Sequence, residues 1–206
     1  VIAKGAKRPH STLRPVLQQF VPLQIHWSGR NELKTLTKSE WVGGVVPLVG
    51  DALLCGFYLN ELIVKFLARE DPHESVFDMY YETIQLLSEA SGGYEQILRP
   101  FEMCLLQETG FCAPLDYCHE TGSTLDPQVA YVYQPERGLR PSNEHDPLHW
   151  PTLQGEHLLR LVSRDFTDPQ TLIQSKPLLR FLLGLHLQEQ NLTTRQILID
   201  LKKIAY

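Results

Sequence analysis

The stretch Phe57-Tyr58-Leu59-Asn60-Glu61-Leu62-Ile63 lies at the centre of the longest helical pattern in the chain. Around it, apolar side chains recur at intervals of four residues, at Leu54, Tyr58, Leu62 and Phe66. This spacing places a broad apolar stripe on one face of an α-helix. The pattern predicts a core-forming helix over about residues 48–70, in which Asn60 and Glu61 are structural polar positions.

Helical patterns continue along most of the remaining chain. Further helices are predicted over about residues 74–90, 94–109, 152–163, 169–188 and 193–203. Pro100 should kink the third helix or make its start irregular. Asp168-Pro169 supplies a cap followed by a proline at the first helical position, and Thr193 or Thr194 is a candidate cap for the last helix.

The first forty residues and the segment 112–150 have different patterns. Val21, Leu23 and Ile25 alternate with other residues, which is typical of a strand. After a turn signal at 28–31, a second strand is predicted over residues 32–36. The segment 112–150 is rich in proline and glycine, and only Val129–Tyr133 alternates, with a partner strand expected near Gly138–Pro141. We expect an irregular subdomain with a small hairpin there.

Charge is distributed unevenly in this chain of 206 residues, which is 43% hydrophobic and 21% charged. The net charge is −5, yet residues 1–40 hold seven basic and two acidic residues, a net charge of +5, which leaves −10 for the rest. This asymmetry predicts a basic binding element on an acidic body. The alternative is an uneven surface without a function. No apolar run reaches ~18 residues, so no membrane span is predicted.

The cysteines and histidines do not form a metal-binding pattern. None of the cysteines belongs to a C-x-x-C pair; they are Cys55, Cys104, Cys112 and Cys118. Structural zinc sites commonly use closely spaced ligand pairs, so we predict no metal at Cys112, Cys118 and His119, nor at His145, His149 and His157. Free cysteines, and the lack of a secretory signal at the N-terminus as given, indicate a reducing cytoplasm.

Catalytic and nucleotide-binding motifs are not recognisable in the sequence. The patterns G-x-x-x-x-G-K-[ST], G-x-G-x-x-G and G-x-S-x-G are all absent. Glutamates on the predicted helices lack the Glu-x-x-His partners of a di-metal bundle. We therefore predict that the chain is not an enzyme and has no cofactor.

The strongest positive signal is a basic loop near the N-terminus. Its cations are Lys4, Lys7, Arg8 and Arg14, and the neighbouring hairpin adds Arg30 and Lys34. A β scaffold with basic loops and aromatic side chains suits single-stranded nucleic acid, and such binding depends strongly on salt. Phe20, Trp27 and Trp41 are the available aromatics. We expect Phe20 in the core, whereas Trp27 could be either buried or exposed.

Several motifs, taken in order, carry a resemblance to a known family. They occupy residues 1–7, 11–13, 20–23, 32–36, 58–62 and 99–110. The chain resembles the RecO family of DNA repair proteins in its proteobacterial form. The likeness is strongest at Tyr58-Leu59-Asn60-Glu61-Leu62 and at Arg99-Pro100-Phe101-Glu102; it fades after Cys118 and returns at residues 192–196. The ordered set, more than any single motif, makes the likeness specific.

The resemblance implies an α+β fold with an OB-fold β-barrel, a helical bundle and a degenerate zinc-finger region. On this chain it predicts the C-terminal part of an OB-fold at 1–42 and a helical domain at 43–111. An irregular hairpin subdomain without zinc is expected at 112–150, and C-terminal helices that pack on the helical domain at 151–206. The family's barrel begins upstream of Val1, so the first strands are absent from this sequence, and we expect missing upstream residues or a start assigned too late.

The same resemblance implies a recombination mediator of the RecF pathway. Members bind single- and double-stranded DNA, anneal complementary strands and act with RecR to load RecA onto coated single strands. They recognise the acidic, hydrophobic C-terminal tail of the single-stranded-DNA-binding protein. A cytoplasmic, nucleoid-associated protein is expected. Two alternatives are a helical protein–protein adaptor that does not bind DNA, and a metal-dependent enzyme built on the cysteine–histidine cluster.

Site residues follow from the resemblance position by position. The expected DNA face consists of Lys4, Lys7, Arg8, Arg14, Arg30 and Lys34. Arg99 is expected to pair with carboxylates of the coat-protein tail, because a guanidinium binds a carboxylate through two hydrogen bonds. Phe101 would either line the groove for the tail's terminal aromatic residue or belong to the core, which we favour. Cys118 stands where some relatives begin a cysteine zinc site whose other ligands are missing here.

Overall fold

The computed structural model describes residues 1–30, 32–43, 46–187, 192–194 and 196–197. In chain order its named elements are β1 Leu23–Ser28, β2 Thr35–Trp41, α1 Gly50–Phe66, α2 Glu74–Glu89, α3 Tyr94–Glu108, β3 Ala130–Gln134, β4 Gly138–Pro141, β5 Thr152–Gln154, α4 Gly155–Val162 and α5 Pro169–Leu187. The predicted α+β class is therefore confirmed. No described helix is long and apolar enough to cross a membrane.

The core lies where the helices meet. Leu59 and Leu62 of α1, Phe101 of α3 and Leu178 and Leu182 of α5 are all fully buried. These residues recur at helical spacing, so each helix turns one apolar face inward. The same cluster extends to the second sheet through Tyr131, Tyr133 and Leu153. Burial of this apolar surface is the main driving force for folding of the body.

The strands form two small antiparallel sheets. β1 pairs with β2, with a register shift between His26 and Trp27, and the second sheet has the order β4-β3-β5. Ile2 pairs with Thr35 on the other edge of β2, where its N–H donates to the Lys34 carbonyl at 2.7 Å. Over the described residues these strands do not close into a barrel. The OB-fold and the zinc-finger-like character remain expectations from family resemblance.

Most predicted elements are present, and three boundaries were wrong. The second strand covers Thr35–Trp41 instead of 32–36, because the loop from Gly29 (φ 125°) is longer than the turn motif indicated. The first helix ends at Phe66, since Leu67 is already extended. Residues 152–154 form β5 because Leu153 pairs with Tyr131, and α4 starts only at Gly155. The helix expected over 193–203 lies largely outside the described residues.

The other predictions of elements are confirmed. α2 and α3 match the helices expected over 74–90 and 94–109, and Pro100 lies within α3. The hairpin of β3 and β4 has the expected partners. Asp168 caps α5, since its carboxylate accepts the Thr171 N–H at 2.8 Å. Asn60 is a structural polar position, because it accepts the Tyr80 hydroxyl at 2.7 Å.

Candidate nucleic-acid interface

The basic loop is a succession of turns. Backbone N–H groups donate three residues back, from Arg8 to Gly5, from Ser11 to Arg8 and from Arg14 to Ser11. The chain therefore bends repeatedly, and the backbone satisfies its own hydrogen bonds while side chains project outward. Lys4, Lys7, Arg8 and Arg14 are all exposed. None of these four cations forms an ion pair with a described residue.

A groove crosses this loop. It has a volume of about 420 Å³ and is lined by Ala6, Lys7, Arg14 and Leu17, a set that we call the basic groove. Two apolar side chains supply part of its surface and two cations supply the rest. Such a lining suits an anionic group that carries an apolar or aromatic part, which describes both a nucleotide and an acidic peptide.

The ribbon of β1 and β2 adjoins the loop through the Ile2 bridge. Arg30 is exposed beyond the end of β1, and Lys34, which precedes β2, is half-buried. Trp27 is 56% exposed and Trp41 is 63% exposed, at opposite ends of the ribbon. The sequence left open whether Trp27 is buried or exposed, and the structure shows that it is exposed. All six predicted DNA-face residues lie in the loop or ribbon, four of them within the turn-rich loop.

Phe20 attaches the loop and ribbon to the helical body. Its φ is 61°, and its ring packs edge to face on Phe57 of α1 at 5.4 Å between centroids. Gly56 makes this approach possible, because a Cβ there would lie 2.8 Å from Phe20 and 2.7 Å from Leu48. Phe20 was expected in the core; it is half-buried and packs against the core from outside. No local pattern in the sequence indicates the role of Gly56, which depends on a tertiary contact.

Arg99, the expected tail-binding residue, is 8% exposed within the helical body. Its Nη1 lies 2.5 Å from Glu102 Oε2, and its Nη2 lies 3.8 Å from Glu95 Oε1. Burial lowers the pKa of Arg99, but the adjacent Glu102 carboxylate outweighs this effect and leaves it raised. The hydroxyl of Tyr58 donates to the other Glu102 oxygen at 2.6 Å. Nη1 of Arg99 is therefore bound by Glu102, whereas its Nη2 faces half-exposed Glu95.

Phe101 is fully buried and meets the ring of Tyr80 edge to face at 6.2 Å between centroids. The structure therefore places Phe101 in the core, as the sequence interpretation favoured. Phe101 therefore does not share a surface with the Nη2 group of Arg99, which faces Glu95. The two residues expected to bind protein are close in sequence, but they face different surroundings.

Glu61 makes a contact that the sequence did not indicate. Its carboxylate accepts the backbone N–H groups of Thr193 and Thr194 at 2.8 and 2.9 Å, and the Thr194 hydroxyl at 2.6 Å. Partial burial raises the pKa of Glu61, but the hydrogen bonds from Thr194 and Thr193 outweigh it and lower the pKa to about 2. Glu61 therefore holds the C-terminal segment on α1. The sequence had suggested instead that the threonines supply the cap themselves.

The cysteine and histidine positions are structural where they are buried. Burial raises the pKa of the Cys112 thiol to about 12, so this thiol is protonated at neutral pH. Cys118 is also buried, whereas His119 is exposed. His157 is buried against Thr171, with Nδ1 and Oγ1 2.9 Å apart. Among the described residues, no group of three or more His, Cys, Asp and Glu side chains is arranged to hold a metal ion.

The fold and the surface define a class of protein: a helical body that presents a basic β element to solvent. Comparison with known proteins agrees with this architecture. The family model "Recombination protein O N terminal" matches residues 1–45, and "Recombination protein O C terminal" matches residues 48–196. The boundary between the two matches falls just before α1, where the ribbon ends and the helical body begins.

Individual relatives give the same result. "DNA repair protein RecO" of Polynucleobacter asymbioticus is 66% identical over 207 residues, which cover 99% of this chain and 85% of the relative. The RecO protein of Cupriavidus pinatubonensis is 54% identical, over 98% of this chain and 69% of the relative. That of Ralstonia nicotianae is also 54% identical, over 99% and 74%. The chain therefore belongs to the recombination protein O family, which supports a role in DNA repair and recombination.

Proposed function

We propose that this chain is a non-catalytic mediator of DNA repair and recombination that binds DNA through its basic loop and ribbon. The observation that carries the proposal is the cluster of Lys4, Lys7, Arg8 and Arg14, exposed and without ion-pair partners in the described structure. Cations that are not neutralised within the protein are available for phosphates, and release of counterions then drives association. Arg30 and Lys34 extend this surface along the ribbon.

Exposed tryptophans favour single strands as the preferred form of DNA. Trp27 and Trp41 are each more than half exposed, so the faces of their rings are accessible to a ligand. Unpaired bases stack on such faces, while cations follow the phosphate backbone. A duplex keeps its bases stacked inside and would use only the cations. Binding of both forms, with a preference for single strands, is therefore part of the proposal.

The remaining functions rest on family membership. We propose strand annealing, and loading of RecA on coated single strands together with RecR, in the RecF pathway and in a cytoplasmic, nucleoid-associated setting. We also propose that the acidic C-terminal tail of the single-stranded-DNA-binding protein contacts Arg99 from its Nη2 side. Lys176, which binds Glu95 Oε1 at 2.6 Å, lies on the same surface and would add positive charge.

The DNA surface is tested by charge reversal. Lys7→Glu with Arg8→Glu should weaken single-strand binding and reduce the slope of log affinity against log salt by about 0.7 for each phosphate that the protein no longer neutralises. Arg137→Glu with Arg164→Glu is the matched control, since both residues are exposed and distant in sequence, and the charge change is the same. Unchanged affinity of the first variant would overturn the assignment. Failure of the wild-type chain to bind any oligonucleotide at low salt would favour the adaptor alternative.

The tail contact is tested with a peptide of the coat-protein terminus. Arg99→Lys keeps the charge next to Glu102 but removes the guanidinium fork, so it should weaken peptide binding while the fold is retained. Circular dichroism checks the fold, and Arg137→Lys is the control for a change of cation elsewhere. Equal peptide affinity of Arg99→Lys, Arg99→Ala and wild type would exclude Arg99 from the tail site.

A further inference from the structure

The outward side of α2 has an unusual surface. Glu74, Asp78 and Glu82 recur at intervals of four and form one ridge, and Phe77 and Tyr81 form the ridge beside it. All five residues are exposed, Phe77 by 66%. We call this set the acidic–aromatic face. No basic residue occurs anywhere in α2, so the whole helix contributes negative charge to this side of the protein.

The acidic–aromatic face is left uncovered by the fold. α2 packs on α3 and α1 through its opposite side, where Val76, Thr83, Ile84 and Leu87 are buried. Within the described part of the chain, Glu74, Asp78 and Glu82 form no ion pairs. An exposed phenylalanine bordered by carboxylates that lack partners contributes little to folding, and such a patch is typical of an interaction surface.

A complementary surface exists on the same chain. Residues 1–30 contain five basic residues and no acidic residue. Within them the basic groove has two cations, Lys7 and Arg14, and two apolar side chains, Ala6 and Leu17. The groove thus has the charge opposite to that of the α2 ridge and an apolar surface against which a ring such as Phe77 can pack.

We propose that the acidic–aromatic face of one copy docks into the basic groove of a second copy. Phe77 enters the groove against Ala6 and Leu17, and Asp78 and Glu82 pair with Lys7 and Arg14 of that copy. The contact joins two different surfaces, so it is a head-to-tail contact that forms either a closed ring or a chain of copies. The occupant is a second copy because both halves of the interface, with matching charge and apolar character, are found on this chain.

A consequence follows for DNA. Lys7 and Arg14 are in the proposed DNA face, so a bound strand and a bound copy require the same cations. Self-association would therefore mask the DNA surface, and bound DNA would dissociate the assembly into single copies. This competition rests on the proposed DNA binding, whereas the docking itself does not.

The docking is tested by light scattering and sedimentation of the full chain at low and high salt. Wild type should associate at low salt, and about 0.5 M salt should reverse this, because the Debye length falls well below 10 Å. Asp78→Lys with Glu82→Lys should weaken association by about tenfold or more through like-charge contact with the groove. Glu120→Lys with Glu144→Lys, two exposed carboxylates outside α2, is the control with the same charge change and should associate as wild type does.

Charge reversal in trans gives the decisive experiment. Lys7→Glu with Arg14→Glu should also fail to associate alone. A mixture of this variant with Asp78→Lys/Glu82→Lys restores opposite charges across the contact, so hetero-association should return. A wild-type chain that stays monomeric at low salt at its highest soluble concentration overturns the proposal. So does α2 charge reversal that leaves association unchanged, or a mixture that stays monomeric.

The DNA arm separates the two proposals. Addition of a single-stranded oligonucleotide should lower the mass of the wild-type assembly. The decrease should grow with the amount of oligonucleotide bound. Oligonucleotide that binds without changing the mass overturns the competition. Oligonucleotide that does not bind at all contradicts the proposed function, while the salt and charge-reversal results still decide the docking.

Discussion

The helical body and the N-terminal ribbon are stabilised by different means, although they belong to one chain. In the body, every helix buries a face, and residues such as Leu59 and Leu105 are completely enclosed. In the two strands β1 and β2, only Leu36 is buried. Apolar burial drives folding, so the body carries its own stability, whereas the ribbon depends on how it is attached.

The difference shows how the chain separates stability from binding. The ribbon and basic loop are attached through contacts such as the Phe20–Phe57 packing and the exposed Arg69–Glu32 pair at 3.3 Å. Elements with few buried contacts open at low energetic cost and are common in binding surfaces. Seven of the 19 Lys and Arg residues and two of the three tryptophans lie in residues 1–41, the loop and ribbon, where few side chains are buried.

The largest expected effect comes from breaking the body's charge pair. Glu102→Ala leaves Arg99 buried without its main partner and removes the acceptor of the Tyr58 hydroxyl. Loss of one partner of a buried pair costs about 3–5 kcal/mol. Unfolding in urea measures the change. Arg69→Ala, which breaks the exposed pair with Glu32, should cost about 1 kcal/mol or less. Similar costs for the two variants would contradict the contrast between body and ribbon.

A smaller effect is expected where Phe20 packs against Gly56 of α1, the contact that joins the ribbon to the helical body. In Gly56→Ala the new methyl group would collide with Phe20 and Leu48 at less than 3 Å. Overpacking of this kind costs about 1–3 kcal/mol, and the gain in helix propensity of about 0.5–1 kcal/mol offsets part of it, so the net loss should be about 0.5–2 kcal/mol. The N-terminal segment should also become more accessible to protease, while α1 stays folded.

Gly184→Ala provides the matched control for Gly56→Ala. Gly184 lies in α5, and a Cβ there would meet nothing within 4 Å. The substitution should stabilise the protein by about 0.5–1 kcal/mol through helix propensity. A destabilising effect of Gly184→Ala, or a neutral one of Gly56→Ala, would show that the predicted collision does not set the outcome.

The third prediction concerns pH and Glu61. Its folded pKa of about 2 lies below the ordinary value of 4.5, so folding favours the ionised carboxylate. Its contribution is therefore complete above about pH 4.5 and is lost as the pH falls towards 2. Glu61→Gln should cost about 1–2 kcal/mol at pH 7, after discounting for solvent screening. Urea unfolding of both proteins from pH 7 to pH 2 should show the difference shrinking; a constant difference would contradict the mechanism.

The helices could be predicted from sequence because their signal is local. The apolar residues of α2 and α3 recur at helical spacing, and glycines follow both helices, so both bounds were right within a residue or two. The β3–β4 hairpin was predictable for the same reason. In contrast, β2 contains one buried residue and therefore no clear alternation, which explains why its position was wrong.

The contacts that position the candidate site depend on distant pairs. Glu61 meets Thr193 across more than a hundred residues, and Gly56 is constrained by the ring of Phe20. Neither relation appears in a local pattern. Arg99 and Glu102 form a local i,i+3 pair within α3, whereas the Tyr58–Glu102 hydrogen bond joins α1 to α3, and the burial of the pair became visible only in the structure. Exposure of Trp27 and Trp41 also required the structure, since the sequence allowed Trp27 to be buried.

The smallest expected effect concerns the tryptophans of the ribbon. Because Trp27 and Trp41 are mostly exposed, replacing either by alanine should change the free energy of unfolding by less than about 0.5 kcal/mol. Each replacement should weaken single-strand binding by about 1 kcal/mol, because one base can no longer stack. Duplex affinity, which needs only the cations, should barely change.

Fluorescence anisotropy with labelled single- and double-stranded oligonucleotides of equal length measures both affinities. Tyr117→Ala, which removes an exposed aromatic ring outside the ribbon, is the control and should alter neither. Equal losses on single strands and duplex would mean that the tryptophans support the ribbon instead of stacking on bases. A loss on single strands alone would separate the two kinds of contact: cations bind any DNA backbone, and the exposed rings select the unpaired form.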